Sequence, residues 1–272
     1  MMKKLLTRLF ITGIALALSA TSVHAAGDLL FIDLFDVPDS ASFDAAETAG
    51  RTAGTVAGET LLKAHRAQQE IRDSQLYAVA TAGVRFENTA GTPGATNRYD
   101  WAAGSAGGNI LSAGGFSVSF DWTPTDDVST NWVAWAVGTA NADSGASVVN
   151  EAQNDYGILF RNNGGTERFI NGGNQGAGGS FATAASHHVM IDYEFDSFAD
   201  GSNVTATSYV DGTQVASDIF AWNNNGGAMY MEFASNQTGS LIDNLTVSTV
   251  PEPSAGILFL LSLIGLVARR RR

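Results

Sequence analysis

Hydrolysing a glycosidic bond with retention of configuration takes two carboxyl groups roughly 5 to 5.5 Å apart, and alternate positions of one strand can supply them on a single face. The stretch "YEFDSFAD" puts Glu194 and Asp196 in that relation, with Asp192 just before them. The histidines of the same region, His187 and His188, are adjacent. They project to opposite sides of a strand and make a poor ligand pair, so one is expected to be partly buried and the other solvated. There is no cysteine, no spaced histidine pair and no Ser-His-Asp signature, so metal or nucleophilic catalysis has nothing specific in its favour.

Binding chemistry has more candidates. Oxygen ligands cluster in "DSFADGSN" at Asp196, Asp200 and Asn203, the kind of set that holds Ca²⁺. Their spacing matches no EF-hand loop, and a turn rich in Asp and Asn for backbone reasons is the plainer reading. Beyond Ca²⁺, no cofactor is indicated. Sugar recognition would use aromatic platforms and polar forks. Trp101, Trp132 and Trp222 sit beside polar or glycine-rich stretches, and Arg161 follows a strong strand. Large aromatics also dominate sandwich cores, so each tryptophan has a structural role open to it.

These side chains have to be carried by an exported body. The chain starts with Lys3, Lys4 and Arg8, continues with an apolar run from Leu9 to Leu18, and reaches small residues at Val23 and Ala25. This is the pattern of a secretory signal peptide over residues 1–25, cleaved after Ala25, with the Sec translocon and signal peptidase as the implied partners. Of the 15 basic residues, three lie in that segment and four at the C-terminus, leaving 8 basic against 26 acidic residues between Ala26 and Val250. A body near −18 repels phosphate backbones, which excludes nucleic acid as a natural partner. Without disulfides, its stability has to come from a packed core, which a body of this length can supply.

Residues 26–249 read as one all-β domain. In "GGFSVSFDWTP", Phe116, Val118, Phe120 and Trp122 alternate with Ser117, Ser119 and Asp121, which predicts one buried and one wet face. "NWVAWAVG" is apolar on both sides, so both faces are expected to be covered. Further strands are expected at 155–161, 166–172, 187–195, 203–212, 213–222, 227–235 and 239–248, with a tight hairpin turn at Asp211-Gly212. Residues 58–75 leave helix and strand open, and the patches "AAGSAGGN" and "NGGNQGAGGS" read as loops. Many short antiparallel strands with no clear helix between them predict a two-sheet sandwich.

The run from "GGFSVSFDW" through "YGILFRNNGG", "HHVMIDYEF" and "VTATSYVDGTQV" to "LIDNLTVS" resembles the concanavalin A-like jelly roll of lectins, laminin G-like modules and some glucanases. The resemblance implies an antiparallel jelly-roll sandwich and carbohydrate as a ligand class. The glucanases' Glu-x-Asp-x-Glu or Glu-x-Asp-x-x-Glu pattern is incomplete here, because Phe198 and Ala199 stand where the second glutamate of the one or the other would be.

The chain ends in "VPEPSAGILFLLSLIGLVARRRR". From Ala255 to Ala268 only Ser262 is polar. As a helix these residues would reach about 21 Å, short of the ~30 Å hydrocarbon core, but the arginines that follow make a short spanning segment credible by snorkelling and local thinning. The order of Pro251-Glu252-Pro253, apolar helix 255–268 and the cluster Arg269, Arg270, Arg271 and Arg272 resembles the PEP-CTERM sorting signal over residues 250–272. That resemblance implies a Gram-negative, exopolysaccharide-producing source. It implies exosortase as a membrane-embedded partner acting near the Pro-Glu-Pro motif, and transient anchoring before release to the surface or matrix. The expected protein is therefore non-enzymatic, a polysaccharide-binding or structural matrix component. The alternative is a glycan-active hydrolase or lyase with Glu194 and Asp196 as acid and base. Replacing Glu252, or deleting Arg269 to Arg272, is predicted to leave the protein retained or mis-sorted. The intact mass of the mature protein reports both cleavages, and normal release with an uncut C-terminus would refute the sorting assignment.

Overall fold

The computed structural model describes residues 27–250, apart from 48, 81, 92–96, 139–148, 150–153, 184–185 and 224–227. The expected signal peptide and its Ala25 cleavage point, the Pro-Glu-Pro motif, the apolar segment 255–268 and the terminal arginines lie outside the described residues. Gly27–Val250 forms one compact unit. Among the described residues, no helix is long and apolar enough to cross a membrane.

The body is an all-β sandwich of two antiparallel sheets, with strands numbered in chain order. The larger sheet runs β14 (Thr213–Ala221), β13 (Asn203–Val210), β12 (His187–Glu194), β7 (Gly115–Thr123), β16 (Leu241–Thr249), β1 (Leu29–Asp33) and β2 (Thr52–Ala53). Attached to β16 is β5 (Gln75–Tyr77), which also pairs with β4 (Glu70–Arg72). The smaller sheet runs β11 (Gly173–Ser180), β10 (Gly165–Ile170), β9 (Asn154–Arg161), β8 (Trp132–Gly138), β15 (Tyr230–Ser235), β6 (Ala82–Asn88) and β3 (Thr60–His65).

Alternation in the sequence becomes the interface between the sheets. Phe116, Val118, Phe120 and Trp122 of β7, with Val189, Ile191 and Tyr193 of β12, all point inward and are fully buried. They meet Val133, Trp135 and Val137 of β8 and Tyr156, Ile158 and Phe160 of β9 in one continuous core. Aromatic pairs cross between the layers: Phe120 meets Phe233 edge-on at 5.6 Å, Phe31 meets Phe86 at 5.2 Å, and Tyr156 stacks on Phe220 at 5.3 Å. Each such pair contributes about 0.5–1.5 kcal/mol beyond the area it buries.

The hairpin between β13 and β14 turns where expected. Asp211 and Gly212 both have positive φ, 51° and 74°, which two-residue hairpin turns of matching twist require and glycine accepts without a Cβ penalty. Strand β8 is buried along its whole length, as the two apolar faces of "NWVAWAVG" predict. Its outer residues Trp132, Ala134 and Ala136 form a second apolar cluster with Val149, Leu159, Phe169 and Ala234. Val149 sits so close to Gly157 that a Cβ there would fall 2.6 Å from the valine Cβ.

Three segments differ from the sequence expectation or resolve it. Residues 58–75 form strands β3, β4 and the start of β5, because Leu62, His65, Ile71 and Leu76 can be buried only by pairing into both sheets. Part of the "AAGSAGGN" patch is the first turns of helix α1 (Gly104–Ala113) rather than a loop. Ala106 and Ile110 pack it against the core, and Gly114 in the left-handed conformation ends it with its N–H on the carbonyls of Ile110 and Leu111. The other glycine patch forms β11, a largely exposed edge strand paired to β10.

Two buried carboxyls make the stability of this core depend on pH. Burial pushes Asp33 up to about 6, even though Arg51 lies beside it with Nε 3.0 Å from Oδ1. Burial, reinforced by the charge of Asp200 and only partly offset by the Asn223 N–H, pushes Asp155 up to about 7. A carboxyl raised above its unfolded value contributes stability that is fully present near pH 4 and is lost as pH rises through 6 to 7. Asp126, Glu167 and Asp211 are held below the usual range by hydrogen bonds that outweigh their burial, so their contribution is lost only below about pH 4. In chelator-treated protein, stability in urea is predicted to rise as pH falls from 8 to 5, each raised group contributing up to about 1.4 kcal/mol per pH unit. Asp33→Asn should flatten the profile, and an unchanged slope would contradict this origin.

Candidate functional site

The wet face of the larger sheet carries the polar half of the alternating strands. Where β7, β12 and β16 run side by side, Asp121 pairs across to His188 on one neighbour and Asp243 on the other. Two carboxylates directly opposite on adjacent strands repel each other, so this position needs donors around it. It has them. His188 Nδ1 lies 2.7 Å from Asp121 Oδ1, and Asn244 Nδ2 donates to Asp121 Oδ2 at 2.8 Å. The Asn244 backbone N–H donates to Asp243 Oδ1 at 2.8 Å, and Gln75 Nε2 donates to Asp243 Oδ2 at 3.4 Å.

A break in the pairing makes this possible. Between Asp243 and Thr246 the β16 register against β7 shifts, and Asn244 takes a positive φ of 53°. The bulge keeps Ile242, Leu245 and Val247 in the core while delivering two consecutive polar side chains outward. Gln75, Asp121, Thr123, Ser186, His187, His188 and Asp243 line an open cleft of about 320 Å³. Thr123 and Ser186 share a hydroxyl hydrogen bond of 2.8 Å at its margin. His188 is exposed, while the ring of His187 is buried, with Nδ1 2.9 Å from Asp211 Oδ2. The histidines divide as expected, one inside and one wet. The Asp-Gly turn also clamps the start of β12, because Asp211 Oδ1 accepts the His188 N–H at 2.9 Å.

A second cluster of charges lies on the outer side of the smaller sheet and is buried. Arg85 Nε contacts Glu87 Oε1 at 2.9 Å, while His65 Nδ1 and an Arg98 guanidinium nitrogen stand 3.4 Å and 3.7 Å from Glu232 Oε2. Arg98 also stacks over the Tyr230 ring. Cross-strand pairing of Glu232 with Arg85 joins the two halves of the cluster.

The residues expected from sequence to bind or react are dispersed. Glu194 ends β12 on the wet face opposite Gly115 and Thr205, and Asp196 lies beyond the strand, so the two do not continue one strand's alternation. Asn203 opens β13 opposite Ala221. Trp101 and Trp222 are fully buried, and Trp132 is nearly so. The platform expectation is corrected for all three, because rings inside the core offer no face to a sugar: Trp101 packs on Phe86, Trp222 on Phe195, and Trp132 in the second apolar cluster. Arg161 is tied down, donating to the Ser129 carbonyl at 3.1 Å and pairing with Glu167. Among the described residues, no three His, Asp or Glu side chains converge to hold a metal.

Sequence reading passed over Asp121, Asp243 and Asn244 as chemistry. The signal was present in "LIDNLTVS", where two polar residues separate Ile242 from Leu245 and break the period of two. Neutralising Asp243 as Asn is predicted to leave stability unchanged or raise it by ~0.2–1 kcal/mol, with a weaker dependence on salt. Urea unfolding at low and high ionic strength measures both, and a loss above that range would show that the carboxylate pair is not repulsive.

Residues 249–272 match the PEP-CTERM protein-sorting motif. No curated protein matches the chain. Among solved structures, the chain is similar to the alginate lyase Aly36B in complex with alginate tetrasaccharide, at 12% identity and a TM-score of 0.46, covering 84% of this chain and 99% of that one. A protein of unknown function with a galectin-like fold from Bacillus subtilis gives 8% identity and 0.46, covering 85% and 100%. The Emp46p carbohydrate recognition domain in its potassium-bound form gives 5% and 0.42, covering 70% and 87%. The chain carries a PEP-CTERM sorting signal at its C-terminus, the mark of an exported protein, behind an all-β two-sheet sandwich.

Proposed function

We propose that this protein is an exported, non-enzymatic polysaccharide-binding component of the cell surface or extracellular matrix, and that the cleft at Asp121, His188 and Asp243 is where the saccharide docks. The protein enters through the Sec translocon, loses its signal peptide, is held briefly by the apolar segment 255–268 and is handed over by exosortase at Pro251-Glu252-Pro253. The arrangement of the cleft carries this reading. Its acceptors are held in place by His188, Gln75 and Asn244, and its hydroxyls by each other. Fixed, partly exposed donors and acceptors suit the hydroxyls of a sugar, which bind through many directional hydrogen bonds at low ordering cost. The body's charge near −18 disfavours polyanions as ligands.

A second reading draws on one observation. Asp121 and Asp243 face each other across adjacent strands, and side chains so placed have Cβ atoms about 4.5–5.5 Å apart, the order of separation a retaining hydrolase needs. All four carboxylate oxygens already accept a hydrogen bond, which favours presentation over proton transfer.

Glycan-array binding and polysaccharide pull-down, run beside an assay for released reducing ends, separate the two. The expected result is binding without turnover, weakened tenfold or more by Asp243→Asn. Turnover abolished by Asp121→Asn would establish the hydrolase instead, and absence of both binding and cleavage would leave a purely structural role.

A further inference from the structure

The turn after β12 and the strand β9 are distant in sequence, and Trp222-Asn223 joins them. The Gly201 N–H donates to the Trp222 carbonyl at 2.8 Å, and the Trp222 N–H donates to the Ser202 carbonyl at 2.7 Å. The next residue, Asn223, donates its N–H to Asp155 Oδ1 at 3.0 Å. Asp155 is fully buried, and its second oxygen, Oδ2, has no hydrogen-bond partner among the described residues. An uncompensated buried carboxylate oxygen costs several kcal/mol, and here the exposed Asp200 adds a second negative charge beside it.

We propose that Asp155 and Asp200 bind a divalent cation, Ca²⁺ by preference, with Asp155 Oδ2 as the anchoring ligand. The orphan oxygen sets this pair apart from an ordinary acidic turn, since one hard cation supplies the missing partner and cancels the repulsion between the two carboxylates. Two carboxylates with neutral oxygens and water suit Ca²⁺, which accepts six to eight oxygen ligands in flexible geometry. Zn²⁺ prefers a closed nitrogen or sulfur set, which the described residues do not form here. The ligand set also differs from the one expected from sequence. Asp200 stays, Asp196 and Asn203 drop out, and Asp155 enters from 45 residues upstream of Asp200. A cation here would tie the β12–β13 turn to β9 at one end of the sandwich. The burial that lifts the Asp155 pKa is the cost such an ion would offset.

The test is thermal unfolding of the purified full-length protein at pH 7.5 in EDTA, in Ca²⁺ and in Mg²⁺, with calorimetric titration of Ca²⁺. Saturating Ca²⁺ is expected to raise the midpoint by about 5 °C or more with one site per chain, and Mg²⁺ to do much less. Asp200→Asn, a change at an exposed position that leaves the core intact, should abolish the shift, and Asp155→Asn should abolish it while raising the midpoint in EDTA. A wild-type midpoint indifferent to Ca²⁺ would overturn the proposal and leave Asp155 as a protonated carboxyl. A shift that survives in Asp200→Asn would also overturn it, placing the ion elsewhere.

Discussion

The rings that meet between the two sheets hold this body together, because a chain without cysteine has no covalent tie to fall back on. Phe31 on Phe86, Phe120 on Phe233 and Phe160, and Tyr156 on Phe220 and Tyr193 form a layer of edge-on and stacked contacts across the interface. Each contact requires its strand to present the ring on the inner side, and the period of two then sends the intervening residue outward. The serines, threonines and aspartates of the wet face are therefore placed by the same packing that buries the aromatics. The core also claims the tryptophans. A body that must bury large rings to stay folded leaves few for a sugar platform.

Where the wet face departs from regular alternation, it gains chemistry. The bulge at Asp243-Asn244 places an amide between two facing carboxylates, and His188 and Gln75 complete the ring of donors. Cross-strand repulsion is tolerated there because solvent and neighbouring dipoles screen it. Beneath the surface the compensation is tighter. Arg51 stands against Asp33, and Arg85, Arg98 and His65 against Glu87 and Glu232. Four of the body's few cationic side chains, counting this histidine, are used inside it, so its strongly acidic balance is expressed mainly at the surface.

The sorting signal and the folded body are separate along the chain. The sorting signal matches residues 249–272 and is recognisable from the order of its residues alone: two prolines around a glutamate, an apolar run, then four arginines. The sandwich depends on pairing between strands far apart in sequence, with β1 beside β16 and β7 between β12 and β16.

That difference accounts for what was legible in the sequence. The sorting motif of the tail, the Asp211-Gly212 turn, the division of the two histidines and the two-sheet class all rest on local composition or period, so the residues themselves decide them. Segment 58–75 became strands only because two sheets were there to receive its apolar residues, and helix α1 formed from a glycine-rich stretch because Ile110 and Ala106 found a core to cover. The cleft and the Asp155–Asp200 pair join residues more than forty positions apart. Such pairs depend on register, and register is settled only when the inner faces close on each other. Trp101 and Trp222 were ambiguous for the same reason: an aromatic beside glycine and asparagine can face either way until packing decides.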